Sequence, residues 1–362
     1  MSKHGRIKHH AKQHFVAQCY TRPWCDPESV GPKSTPYVWL FDLEGHNARR
    51  KAPVNLFTEN DIYTIVGADG ERDLRLEHGL CALEDQFTRI RNKTFFKGLW
   101  PDEEQFASVL AFVCTAHSRT RAFRDFHKNQ WSSIRERMED MQRALKTASP
   151  VQREAMVAMS RSSLSDKRGS MGIEDVRNIE RDVMQVMLSA TMQIELPMMA
   201  RMSLAVLRTD DSVGFVTSDV PVMYMDPTAY RRQPMFRSPT LGTREIEVSM
   251  PLSPSLCLLL THRHDLTGFI DVSAKVVNEM NRQRILRADE SFIANRNDVC
   301  PQWFEHPPMP DDAWEKVRER KIACGEWPAP RAPQSASAAT PTEEPVAMKF
   351  AEPLDGDKDP TA

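Results

Sequence analysis

A change of hydrophobic period limits the folds open to this chain more than any other feature. Leu76, Leu80, Leu83, Phe87 and Ile90 recur at steps of three and four, the stripe a helix presents to a core. Phe106, Val109, Leu110 and Val113 form a second stripe behind Asp102-Glu103-Glu104, acids placed where a helix dipole favours them. Trp131, Ile134, Met138, Met141 and Leu145 form a third, stopped at Ser149-Pro150. A fourth runs from Ile173 through Val176, Ile179, Val183 and Met187 toward Ile194. Pro197 should end or kink it, because proline lacks a donor and clashes with the preceding turn. On either side the pattern is that of strands. Residues 37–41 and 62–66 come before the helices, and 213–217, 246–250 and 256–260 come after them. The last two are expected to face each other across Pro251-Leu252-Ser253-Pro254. Residues 273–288 return to helix, and 291–294 read as a last short strand. This order predicts an α+β fold: mixed, predominantly helical, with a small sheet built from N- and C-terminal strands. The helical layer is expected over 71–208, with the strands of 37–66 and 213–260 in one sheet.

The chain has 362 residues, 40% hydrophobic and 27% charged, with a net charge of −2, so no global basic field draws it to nucleic acid or acidic membranes. No apolar run approaches the ~18–20 residues needed to cross a bilayer, and the basic N-terminus lacks the apolar core of a secretory signal. Seven scattered cysteines without a Cys-x-x-Cys pair argue against a disulfide framework or a zinc ribbon, and fit reduced thiols in a cytoplasmic protein. The expected organisation is a basic mobile arm over 1–12, a single α+β domain over 13–300, a C-terminal extension over 301–325 and a disordered Pro/Ala/Ser/Thr-rich tail over 326–362. There is no internal repeat.

Two stretches stand out: His14-Phe-Val-Ala-Gln-Cys-Tyr-Thr-Arg-Pro-Trp-Cys25, and far downstream Phe215-Val-Thr-Ser-Asp-Val-Pro-Val222. In this order they resemble the domain of unknown function 4238 family. His14, Phe15, Val16, Gln18 and Tyr20 fit the family's opening, with Ala17 where proline is usual, Thr21 for leucine and Trp24 for phenylalanine. Val38–Asp42, Asn60-Asp-Ile-Tyr63, Glu77 with Glu84, and Arg119-Thr-Arg121 (arginine in place of proline) continue the pattern. Thr217-Ser-Asp-Val-Pro221 is its best match, and Pro251-Leu-Ser-Pro254 and Val277-Asn-Glu-Met-Asn281 close it. The resemblance covers about residues 12–296 and implies a divergent member. It names a family without naming a reaction.

The candidate chemistry lies on the same residues. His14 is either a proton shuttle or a structural histidine. Glu77 and Glu84, two helical turns apart and so about 10 Å along one face, would bind a divalent metal, divide acid and base roles, or pair with Arg119 or Arg121. His117, Arg119, Arg121 and Arg124 read as an anion site or as a helix C-terminal end whose cations meet the dipole. Ser218-Asp219 after a strand and before Pro221 reads as a site or as an Asx-type turn, and Ser218 lacks the Gly-x-Ser-x-Gly elbow of a nucleophile. Asn278 and Asn281, three apart on a helix, would reach that turn, or cap the helix or meet solvent. No phosphate loop, dinucleotide fingerprint or His-Glu-x-x-His occurs.

Two functions compete. The first is a hydrolase, a metal-assisted phosphodiesterase or nuclease, with His14, Glu77, Glu84 and Asp219 catalytic, Asp42 on the metal, and Arg119, Arg121, Ser218 and Asn281 binding a phosphate-bearing ligand. The second is a non-catalytic binding or interaction module in which those residues form a buried polar network. Convergence of the side chains on one open cleft favours the first, dispersal the second.

Overall fold

A computed structural model of the chain describes residues 12–32, 34–66, 71–162, 171–305 and 313–324. The arm expected over 1–12, save Lys12 itself, and the tail expected from 326 lie outside them. The chain divides into a unit of residues 1–310 and a second of 311–362, whose described residues, 313–324, contain the helix Ala313–Ala323. Helix predominates over strand among the described residues, and none of the helices is long and apolar enough to cross a membrane.

The expected sheet of N- and C-terminal strands is present. Its four strands run in the order Arg49–Lys51, Val38–Phe41, Phe292–Ala294, Thr217–Ser218, antiparallel throughout. It does not take in the strands of 246–260. These belong to a second sheet, in the order Gly268–Asp271, Ser203–Arg208, Leu256–Thr261, Glu247–Ser253, Met223–Met225. Within it Glu247–Ser253 and Leu256–Thr261 pair as the expected hairpin. Its turn falls later than the prolines suggest, because Pro251 sits within the strand opposite Cys257, and a register shift follows before Ser253. The helical layer also stops short of 208. Ser203–Arg208 is a central strand, since Leu204-Ala-Val-Leu207 is a short continuous apolar run, which periodicity cannot tell from buried helix.

The helices follow their stripes with three departures. Arg75–Lys93 buries Leu80, Phe87 and Ile90, and Glu103–Ser118 starts on Asp102, whose carboxylate accepts from the backbone N–H of Gln105. Phe87 stacks on Phe112 at 3.7 Å and locks these two helices together. The third stripe lies on a 27-residue helix, Arg121–Thr147, that buries none of its residues fully. The fourth is two helices, Ile173–Arg181 and Val183–Met199, because Asp182 leaves the helical region between them. Pro197 lies inside the last turn of the second, where its missing N–H leaves the Gln193 carbonyl without its helical donor, and the helix ends two residues later at Met199.

Of the expected strand 62–66 only Ile65–Val66 forms, paired with Arg72–Asp73, after a turn in which Asp61 takes a positive φ of 57°. Residues 213–216 are likewise not strand. There Gly214 has φ +68°, and a Cβ on it would lie 2.1 Å from the Pro254 carbonyl, so only glycine fits. That approach lets Phe215 N–H donate to the same carbonyl at 2.7 Å.

Candidate functional site

The two stretches that stand out in the sequence meet in space. Trp24, fully buried, donates its indole N–H to the Phe215 carbonyl at 2.8 Å. The buried Tyr20 hydroxyl lies 2.8 Å from Thr217 Oγ1. The aromatic rings of the N-terminal segment thus bring their polar tips to the backbone and hydroxyl that lead into Ser218-Asp219.

Arg119 closes the end of the Glu103–Ser118 helix and is 2% exposed. Its guanidinium donates to Glu84 Oε1 at 2.8 Å, to the His14 carbonyl at 3.0 Å and to the Phe15 carbonyl at 3.3 Å. Tyr63 completes the ring of contacts, its hydroxyl donating to the His14 carbonyl at 3.2 Å and to the Arg119 carbonyl at 3.4 Å. Arg119 therefore staples the first strand, Lys12–His14, to the two core helices. Glu84 also receives the Cys19 thiol, which burial pushes up to about 11. Glu77 is half-buried on the same helix and close enough to Tyr63 and Cys81 to act on both electrostatically.

His14 donates from Nε2 to the Pro53 carbonyl at 3.3 Å. Burial lowers its pKa, helped by Arg119 and Lys12, against the opposing pull of Pro53 and Glu84. The sign follows. The unfolded imidazole binds a proton more readily than the folded one, so the neutral form's contribution is complete above the ordinary histidine value and is lost as pH falls through the lowered one. His14→Gln is therefore expected to flatten the fall in melting temperature between pH 7 and pH 5. An unchanged slope would show that His14 carries none of it.

Asp219 is 5% exposed and its carboxylate is taken by the backbone. Oδ1 accepts from Asp289 N–H at 2.9 Å, and Oδ2 from Glu290 and Ser291 N–H at 2.7 and 2.9 Å. Burial pushes its pKa up to about 6, against the pull of those three donors on the charged form. Ser218 turns its hydroxyl onto Val220, donating to the carbonyl at 3.0 Å and accepting from the N–H at 3.1 Å. Asn281 is buried on the helix Ala274–Leu286 and acts as a short strand, its Oδ1 accepting from Val216 N–H at 3.0 Å and its Nδ2 donating to the Gly214 carbonyl at 2.8 Å. One turn on, Arg284, which no motif in the sequence marks, donates to the Pro221 carbonyl at 2.8 Å and to Ser249 Oγ at 3.0 Å. Asn278 accepts the Trp303 indole N–H at 2.9 Å.

The remaining candidates are engaged as well. Arg121 pairs with Glu290 at 3.0 Å and Glu59 at 3.5 Å, and Arg124 with Glu59 and Asp125. The arginines after His117 are thus matched by carboxylates. Since Asp219 holds the Glu290 N–H while Arg121 holds its carboxylate, Glu290 bridges the two halves of the network. Asp42 stands apart on the turn after Val38–Phe41, accepting from His46 N–H and Asn47 Nδ2, each at 2.6 Å. Among the described residues no group of three His, Cys, Asp or Glu is arranged to hold a metal ion.

A different constellation lines a cleft of about 700 Å³. His117 Nδ1 lies 3.1 Å from the Glu195 carboxylate, and its ring stacks on Tyr224 at 4.2 Å. Phe123 sits edge-on to His117 and 4.2 Å from His127, with Phe126 beyond. Burial lowers the pKa of His127 and, together with Glu195, raises that of Tyr224. The signal in the sequence was the acid interrupting an apolar stripe, Glu195 between Ile194 and Leu196, in register with Met187, Thr191 and Met198.

Neither a search of curated proteins nor a search of solved structures found a match. The family model described as "Protein of unknown function (DUF4238)" matches residues 12–298. The segment it matches runs from the strand that Arg119 staples to just beyond the strand that Asp219 positions, and the chain belongs to the DUF4238 family.

Proposed function

We infer that the chain is a non-catalytic binding or interaction module whose working domain is residues 13–300. In it His14, Glu84, Arg119, Arg121, Ser218, Asp219 and Asn281 hold the fold together as a polar network. The observation that carries this reading is Asp219, whose two carboxylate oxygens are occupied by three backbone N–H groups of its own fold. A carboxylate so engaged has little left to offer an ion or a substrate proton. The same economy runs through Asn281 and Arg119, whose donors and acceptors face backbone or a carboxylate. Seven free thiols support a reducing, cytoplasmic setting. The competing reading, metal-assisted phosphodiester hydrolysis with His14, Asp42, Glu77, Glu84 and Asp219 about an ion, requires carboxylates to leave these partners and gather.

Asp219→Asn separates the two. The amide offers one acceptor where the carboxylate offers two, and turns an N–H toward Glu290 and Ser291. Roughly 2–3 kcal/mol of stability should go with the orphaned donors, read by urea unfolding, with no divalent metal in either protein by elemental analysis. A stoichiometric metal lost on substitution, with stability retained, would establish the hydrolase instead.

A further inference from the structure

The cleft around His117 lies outside the network and is unlike it, because its polar side chains meet one another, His117 against the Glu195 carboxylate, rather than backbone. Four elements and the loop 239–242 build it. The end of Glu103–Ser118 supplies His117, Val183–Met199 supplies Glu195, Arg121–Thr147 supplies the Phe123, Phe126 and His127 rings, and the edge strand Met223–Met225 supplies Tyr224. Its volume lies in the range of small-molecule sites. Its wall is apolar and aromatic, and its rim is open: Phe126 is 59% and Ile194 65% exposed.

Charge decides what fits. The lining carries the Glu195 carboxylate, the imidazoles of His117 and His127, and no lysine or arginine. An anionic ligand would meet that carboxylate with no fixed cation of lysine or arginine to offset it, and a neutral apolar one would leave it unused. A cation gains twice, from Glu195 directly and from the ring faces, whose quadrupoles attract positive charge. His117 holds Glu195 in place through Nδ1, so the carboxylate is oriented before a ligand arrives.

We propose that this cleft binds a small apolar molecule carrying one protonated amine, with Glu195 as its counter-ion and Phe123, Phe126 and Tyr224 enclosing the body. The assignment rests on the binding-module reading and adds the ligand class to it.

Three probes of one skeleton test it by ligand-observed NMR titration on the full chain: phenethylamine, 2-phenylethanol and phenylacetate. The amine should bind at least tenfold more tightly than the alcohol, and phenylacetate more weakly than either. Glu195→Gln should erase the amine's advantage and leave the alcohol's affinity within about twofold. Phe126→Ala, a truncation at an exposed position that the fold does not need, should weaken the amine severalfold and guards against misfolding of the first variant. Equal binding of amine and alcohol, preference for the carboxylate, no binding by any probe, or an amine preference surviving in Glu195→Gln would each overturn the proposal. None of these outcomes touches the module reading, which stands or falls with Asp219→Asn.

Discussion

Arg119→Ala is expected to remove about 3–5 kcal/mol of stability, the usual consequence of breaking a buried charge pair from one side. Three losses coincide. The Glu84 carboxylate loses its counter-ion, the His14 and Phe15 carbonyls lose their donors, and a buried side chain leaves a void beneath Tyr63. Glu84 itself is 21% exposed, so water can replace it in part, and Glu84→Gln should cost only about 1 kcal/mol. Arg119→Lys should recover little, because a single ammonium cannot span two carbonyls and a carboxylate as the planar fork does. The measurement is urea unfolding of the three variants at pH 7. Hydrogen exchange should also show that residues 14–16 lose protection first, since among the described residues the short strand Lys12–His14 has only Thr58–Asn60 beside it. A loss below about 1 kcal/mol for Arg119→Ala would mean that the staple is ornamental.

How far the sequence discloses this architecture depends on the distance over which each feature is decided. Helices with a local apolar stripe and a local start signal, such as Asp102 before Glu103, are legible because all their determinants lie within a few residues. Ser203–Arg208 is not, because Leu204-Ala-Val-Leu207 becomes a strand only when Leu256–Thr261 and Gly268–Asp271 lie on either side of it. The break at Asp182 hides for a similar reason, since the apolar stripe continues across it. In the polar network, Ser218-Asp219 announces itself through the strand before it and the proline after it. What the sequence leaves open is whether such a pair serves a ligand or the backbone, because donors such as the Asp289–Ser291 N–H groups come from 70 residues away. Arg284 and Glu195 are concealed by their charge. Each sits on an inward helical face at a spacing open to inspection, yet charged residues at such positions are ordinarily assigned to solvent.

Arg284→Met carries the second large effect, about 3–4 kcal/mol of lost stability, though the methionine roughly conserves the apolar volume. A buried arginine is ordinarily explained by a carboxylate, and replacing such a pair with hydrophobic residues is often harmless. Arg284 is 2% exposed and meets instead the Pro221 carbonyl and the Ser249 carbonyl and hydroxyl. Burial lowers its pKa, yet an arginine stays protonated, so these oxygen dipoles hold a full positive charge in the core. Methionine removes the charge but leaves the acceptors facing an apolar group, and each buried acceptor without a donor costs about 1–3 kcal/mol. The position also has a structural reach that a surface ion pair lacks. Pro221 follows the Ser218-Asp219 turn of the four-stranded sheet, and Ser249 lies in the hairpin of the five-stranded one, so the guanidinium ties the two sheets together. Asn281 on the same helical face grips residues 214–216, and loss of Arg284 should therefore loosen both contacts of that helix with the sheets. The expected result is a lower urea midpoint together with faster hydrogen exchange at Val216 and Val220. A stability change below about 1 kcal/mol, or exchange that quickens only in the Ala274–Leu286 helix, would show that the helix alone, and not the junction of the sheets, depends on Arg284.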